Sequence, residues 1–170
     1  MDASSWRKGR WTAAMLLLGV GLVSGAGAAT GPQVQIRLSG SIQDRSRGAA
    51  AWTTLKEDSP VAPGERILYK VDLSNLGDRE ARTPAAIGPI PAGTVLVPGT
   101  VTSGAGLKVE YSVDAGKTFS LKPTITVSGK DGRPRTIEAP VERYTAIRWT
   151  WAAPLAASAT ASVSYQVQVR

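Results

Sequence analysis

From Val34 onward, apolar and polar side chains alternate in short runs, and no stretch keeps a helical stripe. Val34, Ile36 and Leu38 fall on one side of an extended backbone, with Gln35 and Arg37 on the other, because successive strand side chains point to opposite faces. Ile67, Tyr69, Val71 and Leu73 repeat the pattern against Lys70 and Asp72, and Ile147, Trp149 and Trp151 repeat it against Arg148 and Thr150. The last run sets Val163, Tyr165, Val167 and Val169 against Ser164, Gln166 and Gln168. Pro63-Gly64, Asn75-Leu76-Gly77-Asp78, Pro91-Ala92-Gly93, Pro98-Gly99, Ser103-Gly104 and Lys130-Asp131-Gly132 punctuate these runs as turns. One buried and one wet face per strand predicts an all-β, antiparallel sandwich with those apolar rows inside. Arg45–Ala51 and Arg79–Ala86 are expected to be mobile loops.

The first 29 residues have a different logic. Arg7, Lys8 and Arg10 precede an eleven-residue apolar run, Ala13–Val23, and Ser24–Ala29 is built of small residues with Ala26-Gly27-Ala28 in the A-x-A form. That order of zones predicts a signal peptide over residues 1–29, cut after Ala28 or Ala29. The run is about half the ~20 apolar residues that a bilayer-spanning helix needs. Contact with a membrane is therefore expected only through this leader before cleavage, and the protein is expected to be exported: periplasmic, secreted or associated with the cell surface. Residues 30–60 are read as the amino-terminal strands of one domain that continues through 61–170.

Composition narrows the chemistry. The chain has no cysteine and no histidine, which removes thiol catalysis, thiolate metal sites, the commonest general base and the commonest transition-metal ligand. Without histidine a serine nucleophile lacks its usual base, so no catalytic residue, cofactor or metal ligand is assigned. The formal charge is +7; with the leader's Arg7, Lys8, Arg10 and Asp2 set aside, about +5 stays on the domain, dispersed rather than patched. Dispersed charge suits an anionic envelope surface and makes a poor nucleic-acid footprint. The close acidic pairs, Glu57-Asp58 and Glu138 with Glu142, have no feature that places them across a cleft as glycoside hydrolysis would require. Asp78 and Asp131 are too isolated for a calcium loop.

The sharpest local motif is Ser112-Val113-Asp114-Ala115-Gly116-Lys117-Thr118-Phe119, which has the S-x-D-x-G-x-T-(W/F) form of the Asp-box of sialidases. Its physical content is a turn: Asp114 takes backbone N–H groups, Gly116 supplies positive φ, and Phe119 is expected to pack inward. The domain is too short for a six-bladed propeller of four-stranded blades. A wider set of motifs runs from Val61-Ala62-Pro63-Gly64 through Ile67–Leu73 and Asn75-Leu76-Gly77, then Pro91-Ala92-Gly93-Thr94, Pro98-Gly99-Thr100, Tyr111–Phe119, Ile147-Arg148-Trp149 and the closing strand Ser162–Val169. In this order the chain resembles the bacterial conserved-repeat domain, domain of unknown function number eleven, of exported and surface proteins. The resemblance implies an Ig-like fold and no reaction. Ala157-Ser158-Ala159 departs from it where members often carry a glycine turn.

The expectation is thus a non-enzymatic structural or adhesive component of the bacterial cell envelope, with other envelope proteins or a surface polymer as partners and no nucleic acid. The alternative is a module that binds an envelope polysaccharide or anionic polymer. Trp149 and Trp151 share the parity of Ile147 and are expected in the core. Trp52 is less constrained: core packing is the first reading, and as an exposed side chain it is the candidate ligand-binding residue, able to stack on sugar rings.

Overall fold

The computed structural model describes residues 31–43, 51–56 and 59–170. The leader, most of the Arg45–Ala51 loop and the Glu57-Asp58 pair lie outside those residues. Within the described residues ten strands follow in chain order: β1 (Val34–Gln43), β2 (Trp52–Thr54), β3 (Arg66–Asn75), β4 (Ala85–Pro89), β5 (Thr94–Leu96), β6 (Leu107–Ser112), β7 (Thr124–Ser128), β8 (Pro134–Glu138), β9 (Ala146–Trp151) and β10 (Thr160–Val169). Among the described residues the only helical element is a single 3-10 turn, Val141–Arg143. Every strand pairing is antiparallel.

The strands form a five-stranded sheet in the order β2-β1-β3-β10-β5, a three-stranded sheet in the order β4-β9-β6, and a separate β7-β8 hairpin. Register explains why the clean alternations pair. Val71 lies opposite Val163, Tyr69 opposite Tyr165, and Ile67 opposite Val167, so the apolar rows of β3 and β10 share one face. Across from them, Ile147 and Trp149 of β9 and Ala86 of β4 join the same buried cluster. Two layers enclosing one apolar interior give a sandwich-like all-β architecture.

At its centre the Tyr165 ring stacks on Tyr69 with centroids 5.4 Å apart and tilts against Trp149 at 5.6 Å. The indole N–H of Trp149 donates to the Thr102 carbonyl at 2.9 Å, and the Tyr165 hydroxyl donates to the Pro89 carbonyl. Both large aromatics thus bury their polar atoms with partners. Gly88 lets β4 come this close. A β-carbon there would stand 2.6 Å from Tyr165 and 2.9 Å from Trp149.

Asn75, fully buried, ties three chain segments to the end of β3. Its carbonyl oxygen accepts the N–H groups of Gln33 and Gly77, each at 3.1 Å. Its amide donates to the carbonyls of Arg79, Leu155 and Ala156 at 2.7–3.1 Å. What reads as a turn residue in sequence is a buried clamp.

Three expectations need correction. Arg79–Ala86 is not simply a loop: Ala81 is buried and exchanges backbone hydrogen bonds with Leu155, and β4 begins at Ala85. Val34 and Ile36 have inner-face parity, opposite Asn75 and Leu73, yet are 40% and 51% exposed. The small sheet is two strands narrower and does not reach them. Phe119 is not in the core but lies beneath the Arg148 guanidinium, 4.5 Å from ring centroid to Cζ, because the turn before it carries the chain onto the outer face of the small sheet.

Candidate functional site

The Ser112–Phe119 motif builds a turn that is bolted to the neighbouring strand. The Ser112 hydroxyl donates to Asp114 at 2.7 Å and accepts the Gly116 N–H at 2.9 Å. Asp114 accepts the Thr118 N–H at 2.9 Å and its hydroxyl at 2.6 Å. These donors, those of Thr118 foremost, hold the Asp114 carboxyl far below the usual aspartate range. Ala115 and Gly116 both take positive φ, 60° and 83°. The Thr145 hydroxyl closes the assembly, accepting the Ala115 N–H at 3.0 Å and donating to the Ser112 carbonyl at 3.2 Å.

The consequence lies one residue away on each side. Tyr111 precedes Ser112 and Tyr144 precedes Thr145, so the turn that locks Ser112 to Thr145 also sets the two tyrosines together. Their rings stack with centroids 4.7 Å apart and planes 24° from parallel. With Leu96, Pro98, Val101 and Val141 they line an open groove of about 350 Å³. Among the described residues neither tyrosine hydroxyl has a hydrogen-bond partner within the protein. Burial raises both phenols above their ordinary value, and the nearby Glu138 adds to the effect on Tyr144, so both remain neutral donors. An aromatic face, an apolar floor and two unengaged hydroxyls can stack a ring and orient it by hydrogen bonds.

On the outer face of the small sheet, Glu110 is held between two cations. Lys108 approaches its carboxylate at 2.9 Å and Arg148 at 2.7 Å. These bonds, Lys108's first, lower the Glu110 pKa below the usual glutamate value. With Phe119 under Arg148, the group reads as a cross-strand brace between β6 and β9.

No protein-family model matches the chain, and no curated protein or solved structure does either.

The other sequence candidates scatter. Trp52 is half-buried on β2, opposite Gln43, and belongs neither to the core nor to the side chains packed on it. β2 and β5 are opposite edges of the five-stranded sheet, about 19 Å apart at ~4.8 Å per strand; Leu96 of β5 lines the groove, so Trp52 is not part of it. Trp149 is fully buried and Trp151 packs on the core, as their parity predicts. Glu138 pairs with Lys122 at 3.6 Å, while Glu142 lies in the 3-10 turn. Asp78 caps the Gly31 N–H at 2.7 Å, and Asp131 is taken by Arg135 and the Arg133 N–H. Among the described residues no three acidic side chains gather as a metal site, and no helix is long and apolar enough to cross a membrane.

Sequence reasoning missed Tyr144 and the Glu110 brace. Tyr111 stands inside a visible motif, but Tyr144 follows 33 residues later with no pattern around it. The β6–β9 pairing and the Ser112–Thr145 bonds bring them together.

Proposed function

We propose that this protein is an exported, Ig-like structural or adhesive component of the bacterial cell envelope, released from its leader and acting through contacts rather than catalysis. One observation carries the reading: the polar residues that the motifs single out, and the threonines they meet, are spent on holding chain segments together. Asn75 joins three segments, Ser112 and Asp114 build a turn, Thr145 bolts it, and Trp149 is tied to Thr102. Groups so engaged serve a scaffold. The order of motifs resembling the conserved-repeat domain supports the same assignment, with other envelope proteins as partners.

Expression with the native leader, cell fractionation and intact mass spectrometry test it. The expected product begins at Ala29 or Thr30, is recovered outside the cytoplasm, and is retained by isolated envelopes but not by protease-shaved ones. An intact chain confined to the cytoplasm overturns the proposal.

The Tyr111–Tyr144 groove favours a second reading, a module that binds an envelope polysaccharide, with the groove in place of Trp52 as the stacking site. Retention on purified envelope polysaccharide that survives high salt, is lost in Tyr144→Ala and is unchanged in Trp52→Ala supports it; retention that salt abolishes points to dispersed charge alone.

A further inference from the structure

The two sheets are mismatched on one side. Among the described residues β4 ends the small sheet, paired with β9 alone, while β1 extends the large sheet one strand beyond β3. The inner face of β1 is left uncovered at Val34 and Ile36, 40% and 51% exposed. The register shows where the backbone hydrogen bonds of β4 go. The Ile90 N–H donates to Thr145 and the Trp151 N–H to Pro84, so even-numbered residues of β4 face β9. Ala85 and Ile87 therefore direct their N–H and C=O groups to the open side. Pro89, also on that side, has no N–H, and its carbonyl is taken by Tyr165. Prolines at 84 and 89 thus bracket a short window with two donors and two acceptors.

We propose that this window accepts an extended polypeptide strand from a partner protein, which pairs with Ala85 and Ile87 of β4 and lays alternate apolar side chains against Val34 and Ile36 of β1. The occupant follows from the chemistry on both walls. A row of N–H and C=O groups at strand spacing is matched by another extended backbone, and apolar side chains at i and i+2 select a partner of the same period. The outer edge of β1 is the poorer acceptor. A strand added there would widen the larger sheet and leave Val34 and Ile36 uncovered, whereas one added to β4 buries them. A second copy is disfavoured by the same overhang. Continuing the small sheet through a two-fold axis normal to it would drive the projecting β1 strands of the two copies into each other. The strand site is separate from the tyrosine groove and does not depend on export, so it stands or falls apart from the proposed function.

The test uses the purified protein labelled with nitrogen-15 and a synthetic alternating Thr-Val octapeptide capped by lysines as the probe. At millimolar peptide, the Ala85 and Ile87 amides are expected to shift and to gain at least tenfold protection from hydrogen exchange. Ile36→Lys places a charge under the added strand, and Ile87→Pro removes a donor that β9 does not use; each is expected to abolish the protection while thermal unfolding stays cooperative. Arg143→Ala, remote from the window, should leave it intact. No protection at Ala85 and Ile87, protection confined to Val34 and Ile36, or protection that rises with protein concentration without peptide would each overturn the proposal.

Discussion

β1 and β3 are neighbours with the same sequence pattern and opposite fates. Each is ten residues long, and they pair residue for residue from Val34 with Asn75 to Ile42 with Ile67. On β3 the inner row, Ile67 to Asn75, is buried throughout; on β1 the first two inner residues lie in solvent. Period-two alternation says which side chains share a face. It does not say whether another layer lies over that face, because the width of the opposing sheet is decided by strands far away in the chain.

Substitutions at matched positions sharpen that contrast. Leu73→Ala, on the covered side of the pair Ile36–Leu73, is expected to cost about 2–5 kcal/mol in chemical denaturation through lost burial and a residual cavity. Asn75→Ala comes next, at about 2–4 kcal/mol, since it leaves the Gln33 and Gly77 N–H groups and three carbonyls without their partner; a smaller loss would mean that water replaces the clamp. Ser158→Gly should stabilise by about 1 kcal/mol, because Ser158 sits at φ 60° where glycine carries no β-carbon penalty. Ile36→Ser should change stability by no more than about 0.5 kcal/mol, despite sharing a face with Leu73. If it costs as much as Leu73→Ala, β1 is covered in solution.

The effect at Asp114, half-buried in its turn, is read in its pH dependence. Its pKa is lowered in the folded chain, so its contribution is fully present above the unfolded value of about 3.9 and is lost as pH falls through the folded value. Asp114→Asn should therefore lower stability at neutral pH and flatten the acid side of the profile, the variant and the parent converging as pH falls through the folded value, as thermal melts across pH will show.

The turns were the most legible part of the fold. Glycines 64, 93, 99, 116 and 132 all take positive φ, where the sequence carries turn signals. Ser158 shows the limit of that reading. Its left-handed conformation is imposed by the chain around it, including its N–H bond to the Asn75 carbonyl at 2.9 Å, and a serine does not announce it. The Lys130-Asp131-Gly132 turn marks the β7-β8 hairpin in the sequence. Ile125 and Val127 of β7 alternate with threonine and serine, but β8 has no such row and both strands are largely exposed. The candidate site was half legible: the Asp114 turn is a motif, whereas the tyrosine stack depends on a meeting of β6 with the segment before β9.

Local rules that act over two to five residues are written in the sequence: strand parity, turn geometry, and the absence of imidazole and thiol chemistry. The tertiary structure alone decided which parity was buried, which polar side chains became clamps, and where the sheets ended unequally. Burial and long-range hydrogen bonding depend on which distant segments arrive at the same place, and no short window of side chains carries that information.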